Sequence, residues 1–126
     1  MLTKGFKQCL AEANAAIATV TVEEAQRLHA AGEVVFVDVR EGAEHAQGRI
    51  PGSVSAPRGF LEFIADPESP MHNPALSSGR RLVLYCASGG RSALAAKTLR
   101  DMGVADVCHM AGGIGGWVQA GGPAER

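Results

Sequence analysis

A chain of 126 residues is the size of one domain, and with 46% hydrophobic and 20% charged residues it is composed like an ordinary globular protein with a real core. A net charge of −1 at pH 7 and a pI near 6.4 leave no global attraction for nucleic acid or an anionic membrane. No apolar run approaches the roughly 20 residues that cross a bilayer, and the N-terminus lacks the apolar stretch of a secretory signal, so the sequence reads as that of a cytoplasmic protein.

In chain order, Phe6, Leu10, Ala13 and Ile17 recur at helical spacing and predict an amphipathic helix over residues 4–17. Thr21 with Glu24 forms a capping box that starts a helix from Val22 to Ala31, stopped by Gly32. Val34 to Val39 is a β-branched run of the kind covered on both faces of a sheet. A short helical turn over Glu41–Gln47, a turn over Gly48–Gly52, a short strand at Ser53–Ser55 and a helix over Gly59–Ala65 follow. Pro67, Pro70 and Pro74 mark residues 66–79 as a surface loop with a helical turn. Leu82–Tyr85 is a second buried strand, Ser92–Met102 a helix closed by Gly103, and Asp106–Met110 a third clear strand. Gly112 and Gly113 lead into a last short helix holding Trp117. Strands alternating with helices predict an α/β protein whose parallel sheet is covered on both faces, with ligands bound at the carboxyl ends of the strands.

Cys86 lies at such an end, followed by Ala87, Ser88, Gly89, Gly90 and Arg91. A cysteine attacks as its thiolate, which is scarce at neutral pH unless its surroundings favour the anion. The helix after the loop presents its positive end, equivalent to about half an elementary charge. Gly89 and Gly90 permit backbone angles that turn loop amides towards one point, Ser88 brings a hydroxyl, and Arg91 adds a cation with a fork of donors. The competing reading is a buried structural cysteine before an ordinary Gly-Gly turn, and the coincidence of cysteine, two glycines and arginine at a strand-to-helix junction argues against it.

The loop from Cys86 to Ser92 resembles the active-site motif of the rhodanese (sulfurtransferase) family. Asp38-Val39-Arg40 with Gly48-Arg49-Ile50-Pro51-Gly52-Ser53 is similar to that family's first motif, with Arg49 where histidine is common. Gly112-Gly113-Ile114 and Trp117 resemble its C-terminal signature. The resemblance runs from about Val20 to Trp117, which separates an N-terminal helical extension, residues 1–19, from one domain, residues 20–122. It implies a three-layer α/β fold with a central, mostly parallel five-stranded sheet. It also implies a thiosulfate sulfurtransferase: Cys86 takes sulfane sulfur from a small anionic donor such as thiosulfate, and the persulfide is cradled by residues 87–91. Cyanide, a low-molecular-weight thiol or an acceptor protein then takes the sulfur, and no metal or organic cofactor is required. With one domain only, Cys86 is expected to be open to a protein acceptor.

The other candidates are weaker. Arg58 follows Pro57 in a segment expected near the mouth of the site, where it would bind substrate; the alternative is a solvated arginine. Asp38 and Arg40 read as a structural ion pair, Trp117 as packing and Cys108 as a small buried hydrophobe. Cys9, Cys86 and Cys108 form no metal or disulfide pattern, and His29, His45, His72 and His109 show no ligand spacing. Two other functions stay open: a dedicated sulfur-relay carrier, and a cysteine phosphatase or arsenate reductase. Loops of the latter enzymes are one residue longer than the four residues between Cys86 and Arg91, and the shorter ring suits a single sulfur atom better than a tetrahedral phosphate.

Overall fold

Thr21 accepts a hydrogen bond from the Glu24 amide while the Glu24 carboxylate faces the Thr21 amide, and Gly32 ends the same helix in the left-handed region at φ 71°. Local signals of this kind set several of the elements in the computed structural model, which describes residues 1–126. In order they are α1 (Phe6–Ala16), β1 (Ala18–Val20), α2 (Val22–Ala31), β2 (Val35–Asp38), α3 (Gly42–Gln47), β3 (Val54–Ser55), α4 (Leu61–Ala65), β4 (Leu82–Tyr85), α5 (Gly90–Asp101), β5 (Val107–Met110) and α6 (Gly113–Gln119), with 3-10 turns at Arg58–Phe60 and Pro74–Ser77.

The five strands form one sheet in the order β1-β5-β4-β2-β3, and every neighbouring pair is parallel. The expected α/β fold with a five-stranded sheet is the one observed. β2, β4 and β5 are buried along their whole length, so their side chains alternate between two apolar layers. On one face Val35, Val37, Leu82, Leu84 and Val107 meet Ala13 of α1, Leu61 of α4 and Ala93, Ala96 and Leu99 of α5. On the other, Phe36, Val83, Tyr85, Cys108 and Met110 meet Val22 and Ala25 of α2 and Trp117 of α6. The Trp117 ring meets Phe36 and His29 edge-on at centroid distances of 5.7 and 5.5 Å, and its indole N–H donates to the Pro123 carbonyl at 2.7 Å.

β1 carries no strand signal of its own, because it is three residues long and only Val20 is buried; pairing with β5 makes it a strand. The division expected after residue 19 falls inside it. α1 is tied to the body by Ala13, by Leu10 and by Arg100, which donates to the Ala16 carbonyl at 2.5 Å. α5 begins at Gly90, two residues before the expected Ser92, so that Arg91 and Ser92 sit in its first turn.

Candidate active site

Because the sheet is parallel, β2, β4 and β5 all end on one side, and Cys86 continues β4 there. Its side chain falls on the α5 face of the sheet, under the start of that helix. The Sγ atom accepts the Gly89 amide at 3.1 Å and the Ser92 amide at 3.4 Å, and lies 3.6 Å from Ser92 Oγ. Gly89, at φ 119°, has the backbone angles that turn its N–H inward. Burial opposes ionisation of the thiol, but the Ser92 hydroxyl and the amides of Ser92, Gly89 and Ser88 outweigh it and hold the thiol below its ordinary value. Cys86 is only 1% exposed, contrary to the expected open cysteine, because the loop folds back over the sulfur to aim those amides at it.

The remaining loop residues divide. Ala87 and Ser88 are exposed at the tip, and Ser88 contributes its amide rather than its hydroxyl to the sulfur's environment. Arg91 does not lie against the sulfur; it clamps Glu44 of α3 with two bonds at 2.9 and 3.3 Å. The Arg91 hydrogen bonds hold the Glu44 carboxyl below its usual range. Arg58 is not brought to this loop. Its guanidinium donates to Thr98 Oγ1 at 3.1 Å and approaches Glu62, two turns along α5 from the cysteine, because the 3-10 turn at Arg58 points the side chain across that helix. It lines a separate shallow groove with Lys4, Cys9 and Lys97.

The other two motifs build the walls. Buried Asp38 accepts the Arg40 guanidinium, at 2.6 Å to Nη2 and 2.9 Å to Nε, and faces His45 Nδ1 at 2.9 Å, while Arg40 also donates to the Gly48 carbonyl. Burial raises the Asp38 pKa, but these donors prevail and leave it lowered. The Tyr85 hydroxyl accepts the Ile50 amide and meets Ser53 Oγ at 2.9 Å, joining β4 to the Gly48–Ser53 turn; burial drives its pKa up to about 12. Gly112 and Gly113, at φ 86° and 61°, let α6 pack end-on against the cysteine loop, where the Ile114 and Gly115 amides donate to the carbonyls of Cys86 and Ala87.

Two residues near the cysteine were not among the sequence candidates. Glu44 carries no signal beyond its place in a short helix. His109, on β5, reaches Ser92 Oγ through Nδ1 at 3.0 Å; a lone polar residue inside the apolar strand Val107-Cys108-His109-Met110 is a signal that spacing alone does not interpret. No group of three or more His, Cys, Asp or Glu side chains converges as metal ligands would.

The rhodanese-like domain model matches residues 21–120. The chain belongs to the rhodanese-like domain family. It is similar to a sulfurtransferase of Allochromatium vinosum, at 35% identity over 78% of this chain and 84% of that protein. It is 36% identical to the thiosulfate:glutathione sulfurtransferase of Saccharomyces cerevisiae over 71% of this chain and 68% of that one. An uncharacterised Synechocystis protein is 33% identical over 86% of this chain, which spans only 56% of that relative's length. Among solved structures, a Rhodopseudomonas palustris protein of unknown function, described as a possible tyrosine phosphatase, superposes with a TM-score of 0.94 at 49% identity, covering 99% of this chain and 97% of that one. As a rhodanese-like protein with sulfurtransferase relatives, the chain belongs to a family of transferases that move sulfur. No helix is long and apolar enough to cross a membrane.

Proposed function

We propose that this rhodanese-like domain is a sulfurtransferase that carries sulfane sulfur on Cys86, taking it from an anionic donor such as thiosulfate and handing it to a thiol or an acceptor protein. The observation that carries the reading is the donor ring around Sγ: two amides and one hydroxyl within 3.6 Å, at the positive end of α5. The thiolate attacks the outer sulfur of thiosulfate. A Cys86 S–S bond forms, the bond to the sulfonyl sulfur breaks, and its electron pair leaves with sulfite. The terminal persulfide sulfur then lies under the amides of residues 87–91. An incoming thiolate takes that sulfur as the Cys86 S–S bond breaks, which returns the Cys86 thiolate; this is covalent catalysis in two steps. The yeast relative's name, thiosulfate:glutathione sulfurtransferase, supports a low-molecular-weight thiol as acceptor. Three free cysteines suit a reducing compartment, taken here as the cytoplasm.

A phosphatase reading is favoured only by the description of the Rhodopseudomonas protein. Against it stand the four residues between Cys86 and Arg91, a ring that suits a single sulfur atom better than a tetrahedral phosphate. Incubation with thiosulfate should add the mass of one sulfur atom to the intact protein, and Cys86→Ser should abolish the gain. Equal sulfur uptake by Cys86→Ser, or turnover of an aryl phosphate dependent on Cys86, overturns the proposal.

A further inference from the structure

His109 is 4% exposed, its Nδ1 lies 3.0 Å from Ser92 Oγ, and its Nε2 is buried with no hydrogen-bond partner. The ring sits beneath the cysteine loop: a Cβ added at Gly89 would come 3.9 Å from its Cε1. Register places His109 beside Leu84 on β4 and Thr19 on β1. The groups facing it are therefore Thr19 from β1, Leu84 and the Cys86 thiol from β4, and Ser92 from α5. The nearest cations of α5 are engaged elsewhere, Arg91 with Glu44 and Lys97 with Asp101. Burial alone acts on the imidazole and lowers its pKa, which keeps it neutral.

Ser92 Oγ has one proton and three neighbours: His109 Nδ1, the Gly89 carbonyl at 3.2 Å and Cys86 Sγ at 3.6 Å. An anionic sulfur carries no proton, so the hydroxyl must donate to it if the contact is to stabilise the anion. Oγ then has only lone pairs left for His109, and the 3.0 Å contact is a hydrogen bond only if Nδ1 carries the ring proton. The opposite tautomer would draw the hydroxyl proton towards Nδ1 and away from sulfur, while Nε2 lacks a partner in either form.

We propose that His109 is a positioning residue for the Cys86 nucleophile: as a neutral imidazole protonated at Nδ1, it holds Ser92 Oγ so that the hydroxyl proton points at the sulfur. No proton passes to the imidazole; its tautomer removes Nδ1 as an acceptor, which leaves the hydroxyl proton to the Gly89 carbonyl or the sulfur, and the anionic sulfur is the stronger acceptor once the thiol ionises. The inference rests on the reading of Cys86 as the nucleophile, yet its test needs no sulfur donor.

The pH dependence of Cys86 alkylation by iodoacetamide, followed on the Cys86 peptide, reports the thiol pKa. His109→Leu should raise it by about one unit, a tenfold loss of thiolate below the midpoint. Ser92→Ala should raise it at least as far, and the double variant should match Ser92→Ala, because His109 acts only through Ser92. His109→Asn, which can place an N–H near the Nδ1 position, should restore most of the shift. Nitrogen-15 NMR of the wild-type imidazole should show the proton on Nδ1. An unchanged alkylation profile in His109→Leu, additive effects in the double variant, or a proton found on Nε2 overturns the proposal; should His109→Leu not fold, the Ser92→Ala profile and the wild-type tautomer decide it. Failure of thiosulfate to load Cys86 would instead overturn the proposed reaction and leave this result standing.

Discussion

Replacing Gly113 by alanine adds one methyl group at the junction between α6 and the cysteine loop. A Cβ there would lie 2.6 Å from the Cys86 carbonyl oxygen and closer still to the Ala87 carbonyl group, and backbone atoms, unlike a flexible side-chain end, cannot swing aside. The residue also sits at φ 61°, where an L side chain costs about 1–2 kcal/mol. Relief requires α6 and the loop to part, which stretches the Ile114-to-Cys86 and Gly115-to-Ala87 hydrogen bonds, 2.9 and 3.2 Å in the intact protein. Each such bond is worth about 0.5–1.5 kcal/mol, so the total loss should be about 2–5 kcal/mol, a large share of the stability of a small domain. Gly121→Ala separates the two causes: it has a similar φ, 83°, but no atom within 4 Å of the added Cβ, and should cost only about 1–2 kcal/mol. Urea unfolding followed through the buried Trp117 measures both. If Gly113→Ala loses no more than Gly121→Ala, the reasoning about close approach fails.

Asp38→Asn should cost about 3–5 kcal/mol near neutral pH, because it leaves the Arg40 charge buried without its partner. The Asp38 pKa is lower in the folded state, so its contribution is present above the ordinary value of 3.8 and fades as pH falls through the folded value. The gap from wild type should therefore narrow in acid, and a constant gap in urea unfolding at the two pH values would falsify the assignment. Glu44→Gln should change stability by less than about 1 kcal/mol, since both partners are more than a third exposed. By freeing Arg91 it should raise the second-order rate of sulfur uptake from thiosulfate up to about fivefold, the kinetic equivalent of that energy, with a steeper salt dependence; an unchanged rate would show that Glu44 does not compete for the cation. Alkylation should place the Cys86 midpoint below the ordinary 9.0, with thiolate increasing as pH rises through it, while Cys108, raised by burial, stays unreactive over the same range; the reverse order of reactivity would refute the donor ring as its cause.

Whether a feature was legible in the sequence depended on how local its cause is. α2 is legible to both ends because Thr21, Glu24 and Gly32 act within one turn of the residues they cap. β4 is legible to the residue because its four apolar positions lie between Arg81 and Cys86. β1 is not legible in the sequence because only its pairing to Cys108, His109 and Met110 makes it a strand. Arg91 lies five residues after the cysteine in the chain, yet its charge is directed by Glu44, which the fold brings from 47 residues away. Arg58 shows the same in reverse: Pro57 points to a loop near the mouth, and Thr98 on α5 determines where the guanidinium goes. His109 lies 17 residues beyond Ser92, and only the parallel register of β4 and β5 under α5 brings it to the hydroxyl.

The three motifs serve one end because of how a parallel sheet terminates. β2 ends in Asp38, β4 runs into Cys86 and β5 into Gly112, so all three meet at the carboxyl ends of the strands, the side on which such sheets bind ligands. The Asp38 network holds the turn that Tyr85 reaches from the strand before the cysteine, and α3, which follows Arg40, carries the carboxylate that fixes Arg91. From the other side the Ile114 and Gly115 amides, which follow the Gly112–Gly113 turn, donate to the carbonyls of Cys86 and Ala87, while α5 supplies the amide and hydroxyl of Ser92. The loop is thus held on its carbonyl side, which leaves the Gly89 and Ser92 N–H groups to converge on the sulfur. Fixing carbonyls outward and amides inward is what makes a short loop a site for an anionic sulfur atom, since donors already in place require no reorganisation when the charge forms.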